Sequence, residues 1–298
     1  MINNKNTSIY IKKIEKIIKS YLGIKNTNIL RRIKWYVLNL FLNDSFLIEE
    51  FYRDEFEIRI LERLIKNISS TAFPVVLDIG ANIGGYSYYL SEYISLINGR
   101  CIGFEPRSDC YKRLKKNIIK QNFIAEKVAL SNNIGIAELY CPTSHGNSSL
   151  IKFPEFIGCK KEKIYKTTLD AYSNKYIKYG KIIFIKIDVE GHEIEVLNGG
   201  EETIKKFEPI ILCESENRHL KLQKKSVEEL INYIKCIGYN AYVISYKKRE
   251  LLSTEEIKIP QSKLKEEEYY YNYWLIPKRR EKSIKKRLKN YIKKHCKN

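Results

Sequence analysis

Apolar and polar positions divide the chain into three regimes. Up to about residue 70, apolar residues recur every three or four positions: Ile14, Ile17, Ile18 and Tyr21 share one helical face among lysines, and EFEIRILERLIKNI repeats the spacing. This stretch reads as a helical extension. From Phe73 onward the pattern changes to short apolar runs, VVLDIG, RCIGFEP, GKIIFIKID and PIILCESE, alternating with helix-patterned segments that begin at Tyr86, Ser108, Glu193 and Ser226. Alternation of this kind builds a parallel sheet with helices on both faces. Between them, VALSN and IGIAELYC fit either the same alternation or a hairpin around Asn132, Asn133 and Gly135, and two late strands are expected in YNAYVISYK and YYYNYWLIPK. The last regime, KRREKSIKKRLKNYIKKHCKN, is a charge run in which Ile284, Leu288, Tyr291 and Ile292 fall on one side of a helix. The expected organisation is a helical extension over 1–70, an α/β domain over 71–277 and a basic amphipathic tail over 278–298. No internal repeat is visible.

Composition changes this picture in two places. At 298 residues, with 44% hydrophobic and 30% charged residues, the chain can bury a full core. The net charge of +19 is unusual, but Lys, Ile, Asn and Tyr are abundant together while Met is scarce, a pattern of AT-rich coding. Part of the charge is therefore background; the rest draws the protein towards polyanions. Seven cysteines without C-x-x-C spacing argue against a disulfide framework or a structural zinc site and for a reducing cytoplasm. The run WYVLNLFL is far shorter than the about 20 residues needed to span a bilayer, and the lysine-studded start lacks a secretory core. The expected location is the cytoplasm. The tail has two readings, an interfacial helix on an anionic membrane or a solvated terminus.

The chemistry is concentrated in VVLDIGANIGGYSYYL. A strand ends in Asp78 and meets Gly80, Gly84 and Gly85 before a helix begins at Tyr86, which is the layout of a nucleotide-binding βα corner. The dinucleotide fingerprint G-x-G-x-x-G is broken, because Asn82 stands at its second glycine. A carboxylate at the turn would repel pyrophosphate and attract an ammonium or sulfonium, and S-adenosylmethionine carries both. One βα unit later, GFEP puts Glu105 at a strand end, where a carboxylate can accept both ribose hydroxyls. Gly80, Asn82, Gly84, Tyr86 and Ser87 complete the expected cofactor wall, the last two through their backbone.

These residues resemble the FkbM-type methyltransferases, a Class I S-adenosylmethionine-dependent family. The resemblance covers about 75–276 and runs through LDIGANIGGYS, GFEP, VALSNNIG, NSSL, TTLD, IKIDVEGHEIEVLNGG and PIILCESE in order. Its most specific string is K-x-D-x-E-G-x-E, matched by Lys186, Asp188, Glu190, Gly191 and Glu193. The resemblance implies a seven-stranded Rossmann-like sheet ending in an antiparallel hairpin. It also implies O-methylation of a hydroxyl on a glycan, polyketide or related metabolite.

Methyl transfer to a hydroxyl needs alignment and a proton acceptor. Lys186 and Asp188 lie two apart on a strand and so point to one face. Asp188, at a strand end beside both the cofactor's methionine and the acceptor, is a candidate cofactor-binding residue. It and His192 are the candidate bases, with Lys186 either catalytic or neutralising Asp188. Glu190, Glu214 and Glu216 are candidate acceptor-binding residues, with His219 nearby, and no spaced ligand set identifies a metal. His145, Asn147 and Ser148 lie in a loop that reads as a cover for the site or as a plain connection. Two alternatives stay open: an RNA 2′-O-methyltransferase, which the charge encourages but no RNA-binding module supports, and a membrane-surface scaffold that keeps the fold without catalysis.

Overall fold

The structure, a computed structural model, describes residues 57–66, 72–143, 148–154, 156–245, 250–257, 263 and 270–295. The chain divides into Met1–Glu57 and Ile58–Asn298. Most of the expected helical extension, 1–56, lies outside the described residues, as do His145 and Asn147 of the expected cover loop.

After a helix over 57–66 (α1) the chain alternates as its pattern predicts. In order come β1 (Phe73–Ile79), α2 (Gly85–Ser95), β2 (Arg100–Phe104), α3 (Ser108–Asn117) and β3 (Phe123–Glu126). Short strands β4 (Ala129–Leu130), β5 (Gly135–Cys141) and β6 (Lys160–Thr167) follow, then α4 (Leu169–Tyr176), β7 (Gly180–Ile187), α5 (Glu193–Asn198) and α6 (Glu201–Phe207). The last part holds β8 (Ile210–Glu214), α7 (Asn217–Lys221), α8 (Val227–Cys236), β9 (Tyr239–Ser245), β10 (Glu250–Ser253), β11 (Asn272–Pro277) and α9 (Glu281–His295). Local chemistry sets several boundaries: Thr168 and Ser226 cap α4 and α8 by accepting from the amides of Ala171 and Glu229.

The main sheet has the order β10-β9-β11-β8-β7-β1-β2-β3. β3, β2, β1, β7 and β8 run parallel, and β11 inserts antiparallel between β8 and β9. The seven expected strands are therefore present, with an eighth, β10, paired antiparallel to β9 at the edge. Central strands read as continuous apolar runs because both faces are covered: Val76, Leu77, Ile182, Ile185 and Ile211 are fully buried. Burying each such side chain contributes about 1.5–3 kcal/mol.

Strand order reverses between β1 and β7, and ligands of open α/β sheets bind outside the strand ends at such a switch point. Asp78 and Lys186 are register partners across it.

Two local expectations change. β4 and β5 do not pair with each other; both pair with β6, in a separate sheet of order β4-β6-β5. The hairpin reading missed β6 because KKEKIYKT shows a strand's alternation with only one fully buried residue, Ile164. The tail forms α9, and Ile284, Leu288 and Ile292 are buried within the protein, not displayed for insertion into a lipid interface. Glu281 fixes the start of α9 by accepting from Asn240 Nδ2 at 2.9 Å and from the Tyr242 hydroxyl.

Candidate active site

The glycine turn after β1 is held by backbone pairing. The amides of Gly80 and Ala81 both donate to the Phe104 carbonyl, at 3.0 and 2.9 Å. Gly80 adopts φ +84°, and a Cβ there would lie 1.7 Å from the Asp188 carbonyl oxygen. Only glycine allows this approach, and it brings the turn after β1 against the end of β7. Gly84, at φ +103°, leads into α2, where a Cβ would press on Leu114 and Ile118. Asn82 is itself left-handed, φ 47°, a conformation asparagine tolerates.

Two carboxyl groups flank this turn. Asp78 is buried and accepts from Ser87 Oγ at 2.5 Å. Burial drives its pKa up to about 6, against the opposing pull of Ser87 and of the nearby Lys186 ammonium. Ser87 thus acts through its side chain, and on Asp78, contrary to the backbone role expected from sequence. Glu105 at the end of β2 accepts from the Asn82 amide through Oε2 and from the Arg107 amide through Oε1, both at 2.8 Å. Burial raises its pKa to about 7. The Asn82 side-chain oxygen is also buried, and no donor reaches it among the described residues. Two buried acids that resist ionisation, beside an amide oxygen lacking a donor, suit a ligand that brings positive charge and N–H or O–H donors. A pyrophosphate would bring neither. S-adenosylmethionine fits these requirements.

Across the switch point, β7 and β8 assemble a second cluster. The Lys186 ammonium is buried, 3.1 Å from Glu214 Oε2, 3.6 Å from Asp188 Oδ2 and 4.9 Å from the centroid of the Tyr86 ring. One cation therefore ties the end of β7 to the end of β8 and to the first turn of α2. Asp188 remains partly exposed, at 28% of its side chain, whereas Lys186 beside it is buried. Glu190, left-handed at φ 52°, lies 3.1 Å from His219 Nδ1. Its pKa is pushed well up by burial and then by the neighbouring charges of Asp188 and Glu214. His219 stacks on Phe153 with centroids 4.6 Å apart, and Glu216, bonded to Arg218, opens α7. Glu193 is buried, accepts from the Gly191 amide at 2.8 Å, and is raised to about 8 by burial.

His192 is placed elsewhere. Its Nε2 is hydrogen-bonded to Ser131 Oγ at 2.9 Å, and its Nδ1 faces Glu195 at 3.6 Å, which in turn pairs with Lys225. Burial lowers its pKa to about 4. An imidazole so weakly basic, with Nε2 committed to a buried serine, is suited to joining the β4 segment to α5 and poorly suited to taking a proton near neutral pH.

Sequence reasoning missed two groups. Arg107 clamps Asp109 with 2.6 and 3.0 Å contacts and also donates to Pro142 O and Ser148 Oγ at 3.0 and 2.9 Å. Ser149 Oγ donates to the Glu190 carbonyl at 2.7 Å. The segment around Ser148 and Ser149 is thereby fastened at both the β2 and β7 ends. The arginine directly after GFEP was the available signal. Among the described residues no group of His, Cys, Asp and Glu is arranged to hold a metal ion.

The sequence model of the Methyltransferase FkbM domain matches residues 78–241, more than half of the chain. The chain belongs to the FkbM methyltransferase family. The match begins at Asp78 and takes in the whole of both clusters. Methyltransferase sdnD of Sordaria araneosa is 30% identical over 171 residues, which cover 46% of this chain and 64% of that protein. Among solved structures, a methyltransferase FkbM from Methylobacillus flagellatus KT aligns over 71% of this chain and 45% of its own, at 15% identity and a TM-score of 0.42. An O-methyltransferase from Bacillus cereus in complex with SAH aligns over 89% and 98%, at 10% identity and a TM-score of 0.38. The FkbM assignment carries with it a Rossmann-like S-adenosylmethionine-dependent methyltransferase domain.

Proposed function

We propose that this protein methylates a hydroxyl group of a glycan or of another hydroxylated small metabolite. The observation that carries the reading is the contact of Gly80 with the Asp188 carbonyl, which sets a cation-seeking acidic turn directly beside a partly exposed carboxylate.

S-adenosylmethionine, when bound, supplies a methyl carbon made electrophilic by its sulfonium. Asp78 and Glu105 would hold it, the first through charge and the second through hydroxyl donors, with the Asn82 oxygen available to a further donor. Asp188 Oδ1 or Oδ2 takes the proton released by the acceptor hydroxyl. Lys186, 3.6 Å away, pairs with that carboxylate and orients it. Glu214, fixed by the same ammonium, and Glu190, fixed by His219, offer acceptor oxygens to neighbouring hydroxyls of a polyol. Carboxylates with spare lone pairs suit sugar hydroxyls, which are donors at every ring position.

The test is transfer of labelled methyl groups from S-adenosylmethionine to a panel of mono- and oligosaccharides, hydroxylated small molecules and RNA. The reading expects label on a sugar or metabolite oxygen. Label confined to RNA 2′-oxygens, or to nitrogen, would overturn it.

A further inference from the structure

The docking of α9 has a second face. Its apolar residues Ile284, Leu288 and Ile292 are buried, and Glu281, the sole acid between 278 and 298, is turned inward onto Asn240 and Tyr242. Lys282, Lys286, Lys289 and Lys293 are exposed. Their spacing of four, three and four places them in one stripe along the helix, on the side away from the buried residues. α9 is thus held in place as a straight row of four ammonium groups about 16 Å long, with no acid within it.

We propose that this stripe is a docking surface for anionic phospholipid headgroups, by which the protein lies on a negatively charged bilayer without inserting into it. Charge complementarity selects the occupant. Lysine ammoniums are compact point charges that respond to charge density, whereas nucleic acid recognition draws on planar arginine forks and stacking aromatics. The stripe offers neither, and none of the exposed large hydrophobic side chains among the described residues lies on α9. Because the apolar face is occupied within the protein, the contact is electrostatic, unlike that of an interfacial amphipathic helix. Among the described residues no helix is long and apolar enough to cross a membrane.

The test is co-sedimentation of the full chain with vesicles of phosphatidylglycerol and phosphatidylcholine, and with phosphatidylcholine alone, at low and at high salt. The expected result is binding to the anionic vesicles only, released by salt, and weakened about fivefold per lysine replaced, or several-hundredfold in K282Q/K286Q/K289Q/K293Q. Circular dichroism and S-adenosylmethionine binding of that variant should match the parent, which separates loss of docking from loss of fold. Unchanged binding by the quadruple variant, equal binding to neutral vesicles, or stronger retention on a single-stranded RNA offered at equal phosphate would each overturn the proposal.

Discussion

Gly80 and Asp188 meet backbone to backbone: a Cβ on the glycine would stand 1.7 Å from the aspartate carbonyl oxygen. The contact joins the turn after β1 to the end of β7, and both halves of the site depend on it. Gly80→Ala adds a clash with main chain and a side chain at φ +84°. Together these should cost about 3 kcal/mol or more. The expected outcome is a lower denaturation midpoint with S-adenosylmethionine binding strongly reduced, read by chemical unfolding and calorimetry.

Lys186 is the hinge of the second cluster. Replacing it with Met leaves Asp188 and Glu214 facing each other without their cation, and breaking a buried pair on one side costs about 3–5 kcal/mol. A double variant, K186M/E214Q, removes the stranded charge and should recover part of the loss. Urea unfolding of the two single variants and the double variant measures that coupling; strict additivity would contradict the pairing.

The two candidate bases separate cleanly. Asp188→Asn should preserve S-adenosylmethionine affinity while lowering turnover about 100-fold to 10,000-fold, the scale of general-base loss. His192→Gln should lower stability by about 1 kcal/mol, through its bond to Ser131, and change turnover little. A turnover collapse in the histidine variant, with the aspartate variant active, would reverse the assignment.

Much of this site was legible from spacing. Asp78, the glycine turn and Glu105 belong to consecutive βα units, where sequence distance translates directly into position at strand ends. Asp188, two residues along from Lys186, was legible as its partner; Tyr86 and Glu214 were not, because they come from other elements and reach Lys186 only through the order β8-β7-β1. His192 shows the same limit: its position next to the K-x-D-x-E-G string suggested chemistry, but its partner Ser131 lies 61 residues earlier. For α9, periodicity identified an apolar face without identifying what covers it. β10, at the edge of the main sheet, and β6, central in its small sheet but with one buried residue, were missed because half-exposed strands carry weak apolar signals.

The buried acids make stability depend on pH. Asp78, Glu105 and Glu193 have folded pKa values of about 6, 7 and 8, all above their ordinary values, so the folded state binds more protons than the unfolded state between about pH 4 and 8. Stability contributed by these groups is present at low pH and lost as pH rises through that window. His192, lowered to about 4, opposes this trend below pH 6.5 only. The melting temperature of the ligand-free protein should therefore fall from pH 6.5 to 8. Glu193→Gln, which keeps an acceptor for the Gly191 amide, should flatten the fall. A midpoint that rises across the same range would contradict the burial of these carboxyls.

The most direct measurement is isothermal calorimetry of the purified protein with S-adenosylmethionine, its demethylated product and a nicotinamide dinucleotide. The two adenosyl ligands should bind, the dinucleotide should not, and Glu105→Ala should weaken binding about 100-fold or more while Asp78→Ala abolishes it. Binding of the dinucleotide, with neither adenosyl ligand registering at millimolar concentration, would contradict the account.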